Sequence, residues 1–206
     1  MLKRGHVAVL VAGVVTLCAF GAGGPVLTQV IYQATAYTLP AGVWELEGMF
    51  SLLSLGLPWV SLSYGLTESL EVGTGLTADL MGLPNLGAKI ALGRTDTIAF
   101  AFLTDIAFSV SDGRLYFGNG VALSSVMESL GVHAGTYVQV LPEFSISPYA
   151  GADYNLMPNT KLLAELSFLP FRARLGLLLR ALNSLDLRGW ASFFPFSLGA
   201  SLSLRF

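Results

Sequence analysis

The C-terminal stretch Phe196-Ser197-Leu198-Gly199-Ala200-Ser201-Leu202-Ser203-Leu204-Arg205-Phe206 alternates without a break. Phe196, Leu198, Ala200, Leu202, Leu204 and Phe206 share one face; Ser197, Gly199, Ser201, Ser203 and Arg205 share the other. Successive side chains of a β-strand point to opposite sides, so this is a strand with one apolar and one small, polar face. A ten-residue strand of that kind suits a wall between lipid and a polar interior, the pattern of a transmembrane β-barrel.

The same alternation continues upstream. Ile98-Phe100-Phe102-Thr104-Ile106-Phe108 opposes Ala99-Ala101-Leu103-Asp105-Ala107, and Phe171-Ala173-Leu175-Leu177-Leu179 opposes Arg172-Arg174-Gly176-Leu178-Arg180. Leu70-Val72-Thr74-Leu76-Ala78 opposes Glu71-Gly73-Gly75-Thr77-Asp79, and Val132-Ala134-Thr136-Val138-Val140 opposes His133-Gly135-Tyr137-Gln139. The pattern predicts strands over 42–53, 57–66, 70–80, 85–93, 97–110, 115–127, 130–141, 144–154, 161–169, 171–182, 185–194 and 196–206. The expected fold is therefore all-β: a transmembrane antiparallel up-and-down barrel of about 12 strands, with ten and fourteen as the neighbouring even numbers. A helical bundle is disfavoured, because the longest apolar stretches, Gly48 to Thr67 and Gly189 to Leu204, carry Pro58 and Pro195 near their centres.

Composition agrees. Of 206 residues, 53% are hydrophobic and 12% charged, and mean hydropathy is +0.66. A soluble domain carries about twice that charge fraction, so much of this surface must face lipid or a partner. The hydrophobicity also excludes intrinsic disorder. One Cys excludes a disulfide framework or a Cys-rich zinc site, and no residue cluster suggests a metal or cofactor. With 11 Lys+Arg against 13 Asp+Glu there is no basic surface for nucleic acid.

The N-terminus has the layout of an export signal. Lys3 and Arg4 precede an apolar run from Val7 to Phe20, followed by Gly21-Ala22-Gly23-Gly24. An uncleaved signal anchor is the alternative. Cys18 follows Leu17, too bulky for a lipobox, and counts as part of the apolar run. The expected organisation is a signal peptide over 1–23, a periplasmic leader or extra strand over 24–41, and the barrel over 42–206.

Charge placement discriminates between the two faces. Glu68, Arg94, Asp96, Asp112, Arg114, Glu128, Glu143 and Lys161 fall at turns or strand ends. Glu45, Glu47, Glu71, Asp79, Lys89, Asp105, Asp153, Glu165, Arg172, Arg174, Arg180, Asp186, Arg188 and Arg205 all fall on the face opposite the bulky apolar side chains and are expected to line the lumen. None faces lipid, where a mid-membrane Arg or Lys costs about 2–4 kcal/mol. Pro58, Pro84, Pro142, Pro170 and Pro195, with Asp112-Gly113, mark one set of short apolar turns; the alternate turns are polar. Periplasmic termini would put the Pro-bearing turns outside.

With Leu198, Ala200, Leu202, Leu204 and Phe206 on one face, the last strand resembles the β-signal of bacterial outer-membrane barrels of porin-like type. Thr38-Leu39-Pro40-Ala41-Gly42 and the hairpin Tyr64-Gly65-Leu66-Thr67-Glu68-Ser69-Leu70-Glu71-Val72-Gly73 are similar to segments of small barrels of that kind. The resemblance implies an outer-membrane location, the lipid bilayer as surroundings, and recognition by the barrel-assembly machinery through Leu198, Leu202, Leu204 and Phe206. The oligomeric state stays open.

Barrel closure should bring Glu45 and Glu47 near Arg205, and should set acids of the first eight strands against arginines of the last four. Two readings follow: a narrow pore whose transverse field orients small polar or zwitterionic solutes, or a plugged barrel whose charges hold one another. Inward glycines, among them Gly73, Gly118, Gly135, Gly176 and Gly199, are expected to leave space and favour the pore. A lipid-modifying enzyme is the third reading, with no catalytic residue assigned. It would rest on His133, the one His left after signal removal, which points inward and away from lipid.

Overall fold

The structure, a computed structural model, describes residues 34–51 and 58–206. Its strands are β1 (Trp44–Ser51), β2 (Trp59–Thr67), β3 (Leu70–Thr74), β4 (Asn85–Arg94), β5 (Ile98–Phe108), β6 (Leu115–Met127), β7 (Leu130–Leu141), β8 (Ser145–Met157), β9 (Thr160–Phe168), β10 (Phe171–Leu182), β11 (Leu185–Phe193) and β12 (Ser197–Arg205). Each pairs antiparallel with its neighbours in sequence, and β1 pairs with β12, so the sheet closes on itself. The expected 12-stranded all-β barrel is what the chain forms. Closure removes both sheet edges. At the seam Glu45 lies opposite Arg205 and Glu47 opposite Ser203, and Trp44 and Phe206 exchange backbone hydrogen bonds of 2.9 and 3.1 Å.

Period two sorts the two faces. Outward positions keep large apolar side chains exposed, as at Phe100 (50%), Leu177 (52%) and Leu202 (45%). A continuous apolar wall of this extent is untenable in water and natural in lipid. Among the described residues no helix is long and apolar enough to cross a membrane, so any crossing is made by strands.

One predicted strand is cut short. The expected 70–80 strand ends at Thr74, and a five-residue helix, α1 (Leu76–Leu80), follows. The cause is a side-chain network that a ladder could not offer. Asp79 Oδ1 accepts hydrogen bonds from Asn85 N and Nδ2, both 3.0 Å, and its Oδ2 accepts from Thr74 Oγ1 at 2.9 Å. Gly75 N donates to Asn85 Oδ1 at 2.8 Å. This corrects two expectations: Asp79 stands in a tied-off turn and not on the inner face of a strand, and the β3–β4 connection is a folded loop and not a short turn.

The segment ahead of β1 is the other departure. Residues 34–41 add no further strand to the barrel wall. Residues 34–39 lie inside the barrel, where Ala34, Ala36 and Tyr37 pack against inward-facing Ala99, Ala101, Leu103 and Ala122, while Pro40 and Ala41 are exposed at its end. A turn closed by Val43 N donating to Pro40 O (3.2 Å), with Gly42 at φ +80°, redirects the chain from the lumen into β1.

Candidate functional site

The barrel interior is built by alternation: in every strand the residues opposite the apolar wall meet in the lumen. Around β9–β12 and β1 it is ionic. Glu45 accepts from Ser203 Oγ at 2.6 Å and from Arg205 Nε at 2.9 Å. Arg205 Nη2 also lies 3.2 Å from Asp186 Oδ2, a charge contact, while Arg180 Nε donates to Asp186 Oδ1 at 3.1 Å. Arg188 Nη1 donates to Glu47 Oε1 at 2.6 Å, passing over the small Ser201 and Ser203 of β12 that leave room for it. Arg174 Nη1 donates to Glu165, with both side chains at most 4% exposed. Arg172 faces inward next to this group, and its buried Nε has no hydrogen-bond partner among the described residues.

These pairs join strands one or two apart and run along the wall. The expectation that the arginines face acids across the lumen is therefore corrected: the charges neutralise one another laterally, which weakens any transverse field. Beside them Met49, Leu163, Leu178 and Trp190, with Trp59 packed on them, form a small apolar cluster on the inner face.

From β3 to β8 the lining is different. Lys89 and Glu71, both fully buried, stand 3.4 Å apart on neighbouring strands. Asp105 meets no cation among the described residues and accepts from Tyr137 OH at 2.5 Å. Asp153 accepts from Lys161 Nζ at 2.6 Å and from His133 Nε2 at 2.8 Å, and His133 Nδ1 meets Ser124 Oγ at 2.8 Å. Lys161, at the start of β9 as expected, also reaches the inner face.

Three of the inward glycines, Gly118, Gly135 and Gly199, are also not the open space expected of them. A Cβ on Gly118 would overlap Tyr137, one on Gly135 would overlap Tyr149, and one on Gly199 would overlap Trp190. These glycines are seats for aromatic rings from adjacent strands, because a ring laid flat on the wall needs a position without a side chain.

Ser124, His133 and Asp153 are ordered like a nucleophile relay, yet the Ser124 hydroxyl is fully buried and takes the Ala36 N–H at 2.8 Å. His133 is 3% exposed. The described structure gives this trio no path to lipid, and its visible work is to hold the lumen segment.

That segment is what the sequence reading missed. Leu39 N donates to Glu71 Oε2 at 2.9 Å, Lys89 Nζ donates to Tyr37 O at 2.6 Å and Thr35 O at 3.4 Å, and Tyr149 OH donates to Ala34 O at 3.0 Å. A Cβ on Gly65 would overlap the Pro40 carbonyl, so the hairpin quoted above is shaped to this segment. The one sequence signal was the run of small residues at Ala34, Ala36 and Ala41 just before the first strand. At the end of the barrel where β1 begins, Thr38, Pro40, Val43, Asn183, Arg205 and Phe206 border a cleft of about 500 Å³. Leu198, Leu202, Leu204 and Phe206 stand on the outer wall of β12, 38–66% exposed.

Fold and lining together define a closed 12-stranded barrel with an apolar outer wall and a polar, charged interior. Among solved structures, the chain is similar to the KdgM porin (TM-score 0.60, 8% identity, covering 80% of this chain and 99% of that one). It is likewise similar to a KdgM porin in complex with disordered oligogalacturonate (TM-score 0.56, 8% identity, 80% and 98%). The COG4313 outer membrane channel from Pseudomonas putida F1 is a third (TM-score 0.52, 10% identity, 83% and 98%). At these identities the fold is what is shared. No protein-family model matches the chain, and no curated protein matches it.

Proposed function

We propose that this protein is a narrow porin-like channel of the bacterial outer membrane that passes small polar or zwitterionic solutes. The observation that carries this reading is the inner face itself. It is polar and charged on almost every strand, and among the described residues the buried donors Arg172 Nε, Arg188 Nε and Trp59 Nε1 meet no acceptor. Buried donors left unpaired by protein call for solvent or solute, so they support a hydrated lumen over a dry core. The fold shared with outer-membrane channels supports the same reading, as an analogy. Export through the signal peptide at 1–23, insertion by the assembly machinery through Leu198, Leu202, Leu204 and Phe206, and periplasmic termini belong to this proposal.

A closed barrel is the second reading, and a specific observation favours it. Glu47–Arg188 and Glu165–Arg174 are laterally satisfied and nearly inaccessible, as charges would be in a structural plug. Single-channel conductance of membrane-extracted protein in planar bilayers separates the two. Discrete, salt-dependent steps of small amplitude are expected. Silence from protein shown to be folded by its heat-modifiable migration would sink the channel and leave the plug.

A further inference from the structure

The lumen segment is held mainly through its main chain, with the Thr38 hydroxyl also donating to Glu68 O at 2.9 Å and Arg94 standing 5.5 Å over the Tyr37 ring. From Leu39 back to Ala34 the partners move from Glu71 on β3, to Lys89 on β4, to Ser124 on β6, to Tyr149 on β8. The four alternate in kind. Glu71 and Ser124 accept backbone N–H groups, and Lys89 and Tyr149 donate to backbone carbonyls. Nothing in this set reads side-chain identity, and the inward-packed Ala34 and Ala36 are among the smallest side chains available. This is how an extended peptide is recognised on a sheet edge: main-chain hydrogen bonds give the affinity, and side chains are tolerated. Here inward side chains replace the edge.

We propose that this oblique groove from β3 to β8 is a binding site for an extended peptide main chain, filled in the resting protein by residues 34–39 of the same chain. The inference rests on the channel reading above and gives it a solute class: short peptides, which compete with the resident segment for the groove. A polyol or sugar of equal size lacks the regular alternation of amide donors and carbonyl acceptors that these four groups match. Tethering one turn away from β1 gives the resident segment a high effective concentration, so a free peptide binds weakly until the segment is displaced.

Eviction without touching the groove is possible because proline has no N–H. A36P removes the donor to Ser124, and L39P removes the donor to Glu71. The probe is the capped hexapeptide Ala-Thr-Ala-Tyr-Thr-Leu, the sequence of residues 34–39, carrying a fluorophore and followed by anisotropy on full-chain protein in detergent. The A36P/L39P variant is expected to bind it at least tenfold more tightly than the unsubstituted chain, and to discriminate against Ala-Thr-Pro-Tyr-Thr-Pro. Equal affinity for both chains, equal affinity for both peptides, or no binding overturns the proposal. Should the double variant fail to migrate as a folded barrel, A36P alone carries the test with a smaller gain. Binding is read without current, so a silent channel with a tight, main-chain-selective peptide site would sink the channel and keep the site. Conducting protein that ignores the peptide would do the reverse.

Discussion

The two halves of the lumen solve one problem in opposite ways. Around β9–β12 and β1, large ionic side chains fill the interior, and serines and glycines on the intervening strand make room for them. From β3 to β8, the wall carries alanines, glycines and flat-lying tyrosines, and a piece of main chain supplies the missing bulk. The first half is filled locally, each pair lying one or two strands apart. The second is filled by residues from another part of the chain. A locally satisfied wall is rigid by construction, whereas a wall completed by a tethered segment has a second state available to it, with the segment out.

The sharpest way to break this contrast is R174A. It removes the guanidinium that neutralises the buried Glu165, a change that costs about 3–5 kcal/mol in comparable buried pairs. The expected result is a large drop in the urea midpoint of the extracted barrel. Replacing both partners by Met should recover most of it; if R174A is silent, the pair is already hydrated and the ionic half is not a packed wall. In the other half, G65V places a side chain against the Pro40 carbonyl and should push residues 34–41 from their seat. The overpacking cost is about 1–3 kcal/mol. Faster amide exchange confined to that segment, with larger conductance steps, is the expected pair of outcomes. Unchanged exchange would show that the segment is as fixed as the ionic wall.

Smaller again is Y149F, which removes one hydrogen bond to Ala34 O at a net cost of about 1 kcal/mol. It should raise exchange at residues 34–36 and leave the barrel midpoint within error. A drop in the midpoint would mean that the segment is part of the folding core. R180E should cost less stability than R174A, because the Arg180 side chain is 46% exposed and the buried Asp186 keeps Arg205, and it reverses a charge bordering the ionic half. A reversal potential shifted toward cations is expected under a salt gradient. No shift would place the conduction path away from that half altogether.

Much of this was legible beforehand, for a physical reason. Lipid outside and polar groups inside impose alternation on every strand, and alternation is visible in a single sequence. The bounds of β6, β7 and β10 could be read directly because turn signals flank clean period-two runs. β3 was misread because Leu76, Ala78 and Leu80 continue the alternation on paper, while Asp79, Thr74 and Asn85 assemble a turn that closes first. The inward charges could be assigned to the lumen, and closure alone predicted Glu45 beside Arg205, whereas pairs such as Glu47–Arg188 could not be read.

What the sequence by itself determined is the face of each residue: period two says in or out, and the lipid cost of charge makes the assignment strict. Beyond the seam pair that closure itself implies, partners were settled only by tertiary structure. Closure brings Glu45 to Arg205 across 160 positions, strand stagger sends Arg188 past β12 to Glu47, and the turn at Gly42 folds residues 34–39 into the lumen, where Ala36 meets Ser124 across 88 positions. None of these distances has a local signal. A residue's face depends on its own strand, whereas its neighbour depends on how every other strand is staggered around the barrel.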